Sequence, residues 1–144
     1  MRSTIRQTLT RSAPLAVAML LAACATTLPA PPAVEKGELE NAADGTVIAI
    51  KRGGELKLVL DANITTGYQW QGPAAVAPML SAIGNPIYVG KGSDPRNTGA
   101  GGVNVFRFKA EQPGSTTLQF DYKRAWEANV APVKTVRYTV YVAP

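Results

Sequence analysis

A hydrophobic period of two constrains this chain more than any other feature. Glu55 to Leu60 (ELKLVL) sets Leu56, Leu58 and Leu60 on one side of an extended backbone, and Val103 to Ala110 (VNVFRFKA) sets Phe106 and Phe108 opposite Arg107 and Lys109. Thr116 to Tyr122 (TTLQFDY) aligns Leu118, Phe120 and Tyr122, and Lys134 to Val142 (KTVRYTVYV) aligns Val136, Tyr138, Val140 and Val142. Side chains alternate between the faces of a strand, whereas a helix needs apolar residues three and four apart. Thr46 to Ile50 (TVIAI) and Tyr68 to Gln71 extend the set, and Gly53-Gly54 predicts a hairpin between Thr46–Ile50 and Glu55–Leu60. A further strand is expected at about Leu80 to Val89, although the stretch Val76 to Ile83 also suits one helical turn. Gln112-Pro113-Gly114-Ser115 is a turn signal, with Pro at its second position and Gly at its third. Short alternating strands without a helical period, over about 100 residues, predict an all-β fold: an antiparallel β-sandwich of immunoglobulin-like size. Parallel α/β folds are excluded.

The start of the chain reads differently. Arg2, Arg6 and Arg11 precede an apolar run from Ala13 to Ala23 (APLAVAMLLAA). At about eleven residues the run falls short of the roughly 20 needed to span a bilayer, and it reads as an export signal over residues 1–23. Leu21-Ala22-Ala23-Cys24 resembles the lipobox of bacterial lipoproteins, in which the cysteine becomes the acylated first residue of the mature chain. That resemblance implies a triacylated protein anchored at Cys24, since two or more acyl chains hold a protein stably where one does so only marginally. Ala25 after the cysteine favours the outer membrane within the bacterial envelope. Thr26 to Pro32 (TTLPAPP) and the polar residues to Asp44 read as a tether over residues 24–44, extended at about 3.1 Å per residue where proline dominates. The folded domain is expected from Gly45 to Pro144.

Composition removes most chemistry. The chain has no histidine and one cysteine, so Cys/His and Ser/His/Asp catalysis are unavailable once Cys24 is acylated. Zinc and haem sites lose their commonest ligands, and no metal or other cofactor is expected. The ten acidic residues form no recognisable pair, so the chain reads as no enzyme. Three of the fifteen basic residues belong to the signal, leaving twelve against ten acidic ones; the remainder carries no basic stripe for nucleic acid.

Three connections carry more than a connector needs: Asp61 to Gly67, Gly90 to Gly102 (GKGSDPRNTGAGG) and Lys123 to Val133 (KRAWEANVAPV). In order they hold Asn63-Ile64-Thr65-Thr66-Gly67-Tyr68, Gly99-Ala100-Gly101-Gly102 and Arg124-Ala125-Trp126. This order resembles the signature loops of the chagasin family of cysteine-protease inhibitors, typically Asn-Pro-Thr-Thr-Gly-Tyr/Phe, Gly-x-Gly-Gly and Arg-Pro-Trp. Ile64 and Ala125 stand where the family has proline. The resemblance covers Gly45 to the C-terminus and implies an immunoglobulin-like sandwich whose three loops form a wedge for the cleft of papain-like cysteine proteases. It implies that Asn63, Thr65, Thr66 and Gly67 form the central probe, with the threonine hydroxyls available to the catalytic groups. Gly99, Gly101 and Gly102 would lay backbone along the unprimed side, and Trp126 would meet the primed side, with Arg124 fixing its loop or pairing with an enzyme carboxylate. Tyr68 and Trp70 are expected to pack beneath the first loop. A monomer is expected. The competing reading is a tethered structural or adhesive envelope module that binds another protein or a glycan, which leaves the order of the three loops unexplained.

Overall fold

The computed structural model describes residues 31–73, 76, 78–92 and 101–144. Its strands are β1 (Val34–Glu40), β2 (Val47–Ala62), β3 (Tyr68–Gln71), β4 (Leu80–Ala82), β5 (Ile87–Gly90), β6 (Gly102–Ala110), β7 (Gly114–Arg124) and β8 (Lys134–Ala143). No α-helix occurs among the described residues, and a single 3-10 turn lies at Ile64–Thr66. The fold is all-β, as the period-two pattern requires.

Hydrogen bonding links the strands in the order β3-β7-β8-β2-β6-β4, with β1 paired to β2 and β5 to β6. The sheet curls so that β6 faces β7: the Phe106 and Phe120 rings lie 4.7 Å apart although β8 and β2 separate their strands along the path. The alternating residues fill this interior. Leu56, Leu58, Leu118, Phe120, Tyr138, Val140 and Val142 are buried, whereas Arg107 and Lys109 are exposed. Phe120 also meets the rings of Phe108 and Tyr138, so cutting it to alanine would cost about 3–5 kcal/mol.

Four expectations are corrected. Gly53-Gly54 does turn the chain back, but its two arms, both within β2 (Val47–Ala62), take other partners instead of pairing as a hairpin. The first arm, Val47 to Lys51, pairs in parallel with Thr139 to Ala143 of β8, and the second arm, Glu55 to Ala62, pairs antiparallel with β6. Between them the chain reverses: Val34 faces Ile50 and Lys36 faces Glu55, and Lys51–Gly54 form the turn, with Gly53 in the left-handed region (φ +80°). Gly54 passes so close to the Glu35 carbonyl that no side chain would fit. Second, the sheet is mixed rather than antiparallel, since β2 lies parallel to both β1 and β8. Third, the stretch from Leu80 to Val89 forms two strands, β4 and β5, each on β6; Gly84 (φ +68°) and Pro86 break the ladder between them. Fourth, part of the stretch read as tether is folded. β1 pairs with β2 from Lys36–Glu55 to Glu40–Val59, so the domain begins ahead of Gly45.

The register gives the molecule two poles. Ala62 pairs with Gly102 and Tyr68 with Arg124 at one pole, while Val34 pairs with Ile50, Lys51 with Ala143 and Gly114 with Val142 at the other.

Candidate functional site

At the first pole β2 ends and Asn63 redirects the chain. Its backbone stays extended (φ −132°, ψ 96°) while its side chain folds back, Oδ1 accepting the Thr65 N–H at 3.1 Å and the Thr65 hydroxyl at 2.5 Å. The Thr66 hydroxyl donates to the Asn63 carbonyl at 2.7 Å, and the Gly67 N–H donates to the Ile64 carbonyl at 2.9 Å. Asn63 is therefore the N-cap of the 3-10 turn, supplying an acceptor to donors that a helix start leaves unpaired. Gly67 closes the turn in the left-handed region (φ +81°), where a Cβ would be strained and would also overlap the Trp126 ring.

The third loop leans on the first. Glu127 N–H donates to the Arg124 carbonyl at 3.2 Å, a turn with Ala125 and Trp126 at its centre. Arg124 Nε donates to the Thr66 carbonyl at 3.2 Å, its Nη1 binds Glu127 Oε1 at 3.1 Å, and its guanidinium lies 4.5 Å from the Tyr68 ring centroid. One side chain thus ties the two loops together through backbone, charge and ring face. Trp126 rests one edge on Gly67 and remains 69 % exposed. Below, Tyr122 is packed between Tyr68 (5.5 Å) and Trp70 (5.0 Å), and its hydroxyl accepts the Asn63 N–H at 3.0 Å. Trp70 is buried and donates its indole N–H to the Asp61 carbonyl at 2.9 Å. Tyr68 and Trp70 do pack beneath the first loop.

The second loop closes beside the first. The Lys91 N–H donates to the Gly101 carbonyl at 2.9 Å, Gly102 faces both Ala62 and Gly90, and Lys91 Nζ reaches Asp61 Oδ1 at 2.5 Å. The Lys91 ammonium holds the Asp61 carboxyl below its ordinary range, and Asp61 in turn raises the Lys91 pKa. Asp61, Asn63, Lys91, Gly101, Gly102 and Tyr122 line a cleft between the two loops. Gly99 and Cys24 lie outside the described residues.

The structure therefore brings together Asn63, Thr65, Thr66, Gly67, Gly101, Gly102, Arg124 and Trp126, with two revisions of role. Both threonine hydroxyls donate inward, to Asn63, so they shape the loop, and only their lone pairs remain for a partner. Arg124 fixes the loops and is already engaged with Glu127. Sequence reasoning missed Tyr122, Asp61 and Lys91. Tyr122 carries the same alternation as the core residues Leu118 and Phe120, so nothing local marks its hydroxyl as a loop support. Among the described residues no group of three or more His, Cys, Asp or Glu side chains could hold a metal ion.

Comparison with known proteins decides the family. Residues 49–140 match the model of the chagasin family peptidase inhibitor I42. The chain belongs to the chagasin family. Amoebiasin-1 of Entamoeba histolytica is 29 % identical over 87 residues, spanning 60 % of this chain and 80 % of the relative. The crystal structure of the cysteine protease inhibitor EhICP2, also from Entamoeba histolytica, superposes with a TM-score of 0.61 at 21 % identity, covering 75 % of this chain and 95 % of that one. PbICP-C, solved in complex with falcipain-2, gives a TM-score of 0.50 at 15 % identity over 76 % of this chain and all 100 % of that one. Where the chagasin pattern has proline in its first loop, Ile64 occupies the first position of the capped 3-10 turn, and Asn63 supplies by hydrogen bonds the constraint a ring would supply covalently. The proline of the chagasin third loop would fall on Ala125, the second residue of the Arg124–Glu127 turn, where proline is favoured.

Proposed function

We propose that the three-loop pole is a wedge that enters the active-site cleft of papain-like cysteine proteases and blocks it reversibly, without covalent chemistry. The observation that carries this reading is the union of the first and third loops: Arg124 holds the Thr66 carbonyl, and Trp126 lies against Gly67. A cleft with a catalytic Cys/His pair and an oxyanion hole cuts a peptide bond presented in extended form. Thr65-Thr66-Gly67 presents a closed turn instead, so the site is filled and no scissile bond is offered. Because the turn is capped and tied before binding, little ordering entropy remains to be lost on association. Trp126 supplies a broad rigid face on the primed side, and Gly101 and Gly102 bring backbone to the unprimed side. Family membership and the falcipain-2 complex of PbICP-C support the choice of target class.

In this reading the curled sheet is an immunoglobulin-like sandwich, the protein acts as a monomer, and acylated Cys24 holds it to the bacterial envelope at the outer membrane. The two poles suit that arrangement, since β1 begins opposite the loops. Titration of papain with residues 31–144, following hydrolysis of a peptide substrate, tests the function. Competitive inhibition with a constant below about 1 μM, equivalent to about −8 kcal/mol, is expected. Undiminished hydrolysis by several papain-like enzymes at micromolar protein would overturn the proposal. Cys24→Ser should release the protein from the membrane fraction, and retention there would remove the lipid anchor.

A further inference from the structure

Most of the exposed large apolar side chains among the described residues lie toward one pole of the molecule. Ile64, Trp126, Val130 and Val133 sit on the first and third loops, and Ile87 and Val89 lie on β5, which runs into the second. Trp126, Val130 and Val133 are 69 %, 55 % and 63 % exposed and share the single connection between β7 and β8. Scattered exposed valines are ordinary, but two on the same loop as an exposed tryptophan set that loop apart.

That part of the loop is held in place. Glu127 is bound to Arg124, the Val130 N–H points to the Glu127 carbonyl at 3.5 Å, and the Val133 N–H donates to the Tyr122 carbonyl at 3.0 Å. Tyr122 is also the residue that supports Asn63, so the base of the valine segment and the base of the first loop share one anchor. From Ala128 to Val133 the chain (ANVAPV) carries no charge, and Pro132 narrows its backbone freedom. Depletion of charge around apolar residues is the compositional mark of an interface centre.

We infer that Val130 and Val133 form a second apolar contact, seated on a neutral, apolar subsite of the protease adjoining the one that receives Trp126, and that they determine which proteases are bound well. This rests on the wedge reading. Enzymes with charged side chains at that subsite are disfavoured, because an ion desolvated against valine finds no partner.

The test measures inhibition constants of the wild type, the double variant Val130→Ser/Val133→Ser and Trp126→Ala against a panel of papain-like proteases, with thermal midpoints recorded for each. The serine pair should raise the constant about tenfold or more for the best-inhibited enzymes and change the rank order of the panel, with an unchanged midpoint. Constants within twofold of wild type across the panel would overturn the inference while Trp126→Ala still reports on the wedge. If the serine pair lowers the midpoint, Val130→Thr/Val133→Thr keeps shape and branching and should still reorder the panel; an unchanged order then overturns the inference. A wild type that inhibits no member removes the wedge reading itself.

Discussion

Asn63 shapes the first loop through three interactions: its side chain accepts from Thr65 twice, and its carbonyl accepts the Thr66 hydroxyl. Removing an N-cap of this kind costs about 1 kcal/mol. Asn63→Ala should therefore raise the inhibition constant about fivefold or more, whereas Asn63→Asp keeps the acceptor and should stay near wild type; titration of papain with each variant decides. An alanine variant as potent as wild type would show that the cap does not set the loop. Trp126→Ala removes an exposed ring and should raise the constant about tenfold or more with an unchanged melting temperature. A fall in melting temperature with inhibition retained would make Trp126 a packing residue. Asn63, Gly67 and Trp126 were singled out by the order of the three loop motifs, whereas the cap that Asn63 forms was not legible in the sequence. Nor was the inward direction of the threonine hydroxyls, since it depends on where the Asn63 side chain turns.

At the scale of elements, alternation located the strands whose one face is buried, β6, β7, β8 and the second half of β2, to within two residues at each end. It failed where partners are remote. Gly53-Gly54 has the chemistry of a hairpin turn and does turn the chain, but Val47 to Lys51 finds its ladder in β8 and Glu55 to Ala62 in β6, so the two arms are not paired with each other. β1 (VEKGELE) has the composition of a solvated tether for a physical reason: an edge strand with one unpaired side is protected by charge. Leu39 nevertheless packs on the core, and Asn41, in the left-handed region (φ +43°), donates to the Val59 carbonyl and accepts the Asp61 N–H at 2.7 Å. A chain cut at Gly45 loses these contacts. Residues 45–144 should melt several degrees below residues 31–144, with β2 exchanging its amide hydrogens faster from Glu55 to Val59. Equal midpoints would mean that β1 adds nothing to the fold.

Over the whole molecule, the start of β1 and the loop ends occupy opposite poles, so the proposed anchor ahead of β1 would leave the proposed wedge pointing outward. Electrostatics leaves the wedge insensitive to pH. The chain has no histidine, the side chain whose charge ordinarily changes between about pH 5 and 8. Asp61 is lowered by Lys91, so the stability it lends the second loop is present above its ordinary pKa and is lost only as pH falls through the lowered value. Lys91 is raised, and its contribution is lost only as pH rises through that raised value. Inhibition constants corrected for the protease's own titration should be flat from about pH 5 to 8, and a tenfold step within that range would reveal a titrating contact on this protein. Entry of the loops into the cleft is what the proposed function stands on. It is tested most directly by measuring binding of residues 31–144 to papain whose cleft is already filled by a covalently attached peptide inhibitor. The wedge predicts binding to free papain and its loss, by at least about a hundredfold, once the cleft is filled; equal binding to both forms would contradict it.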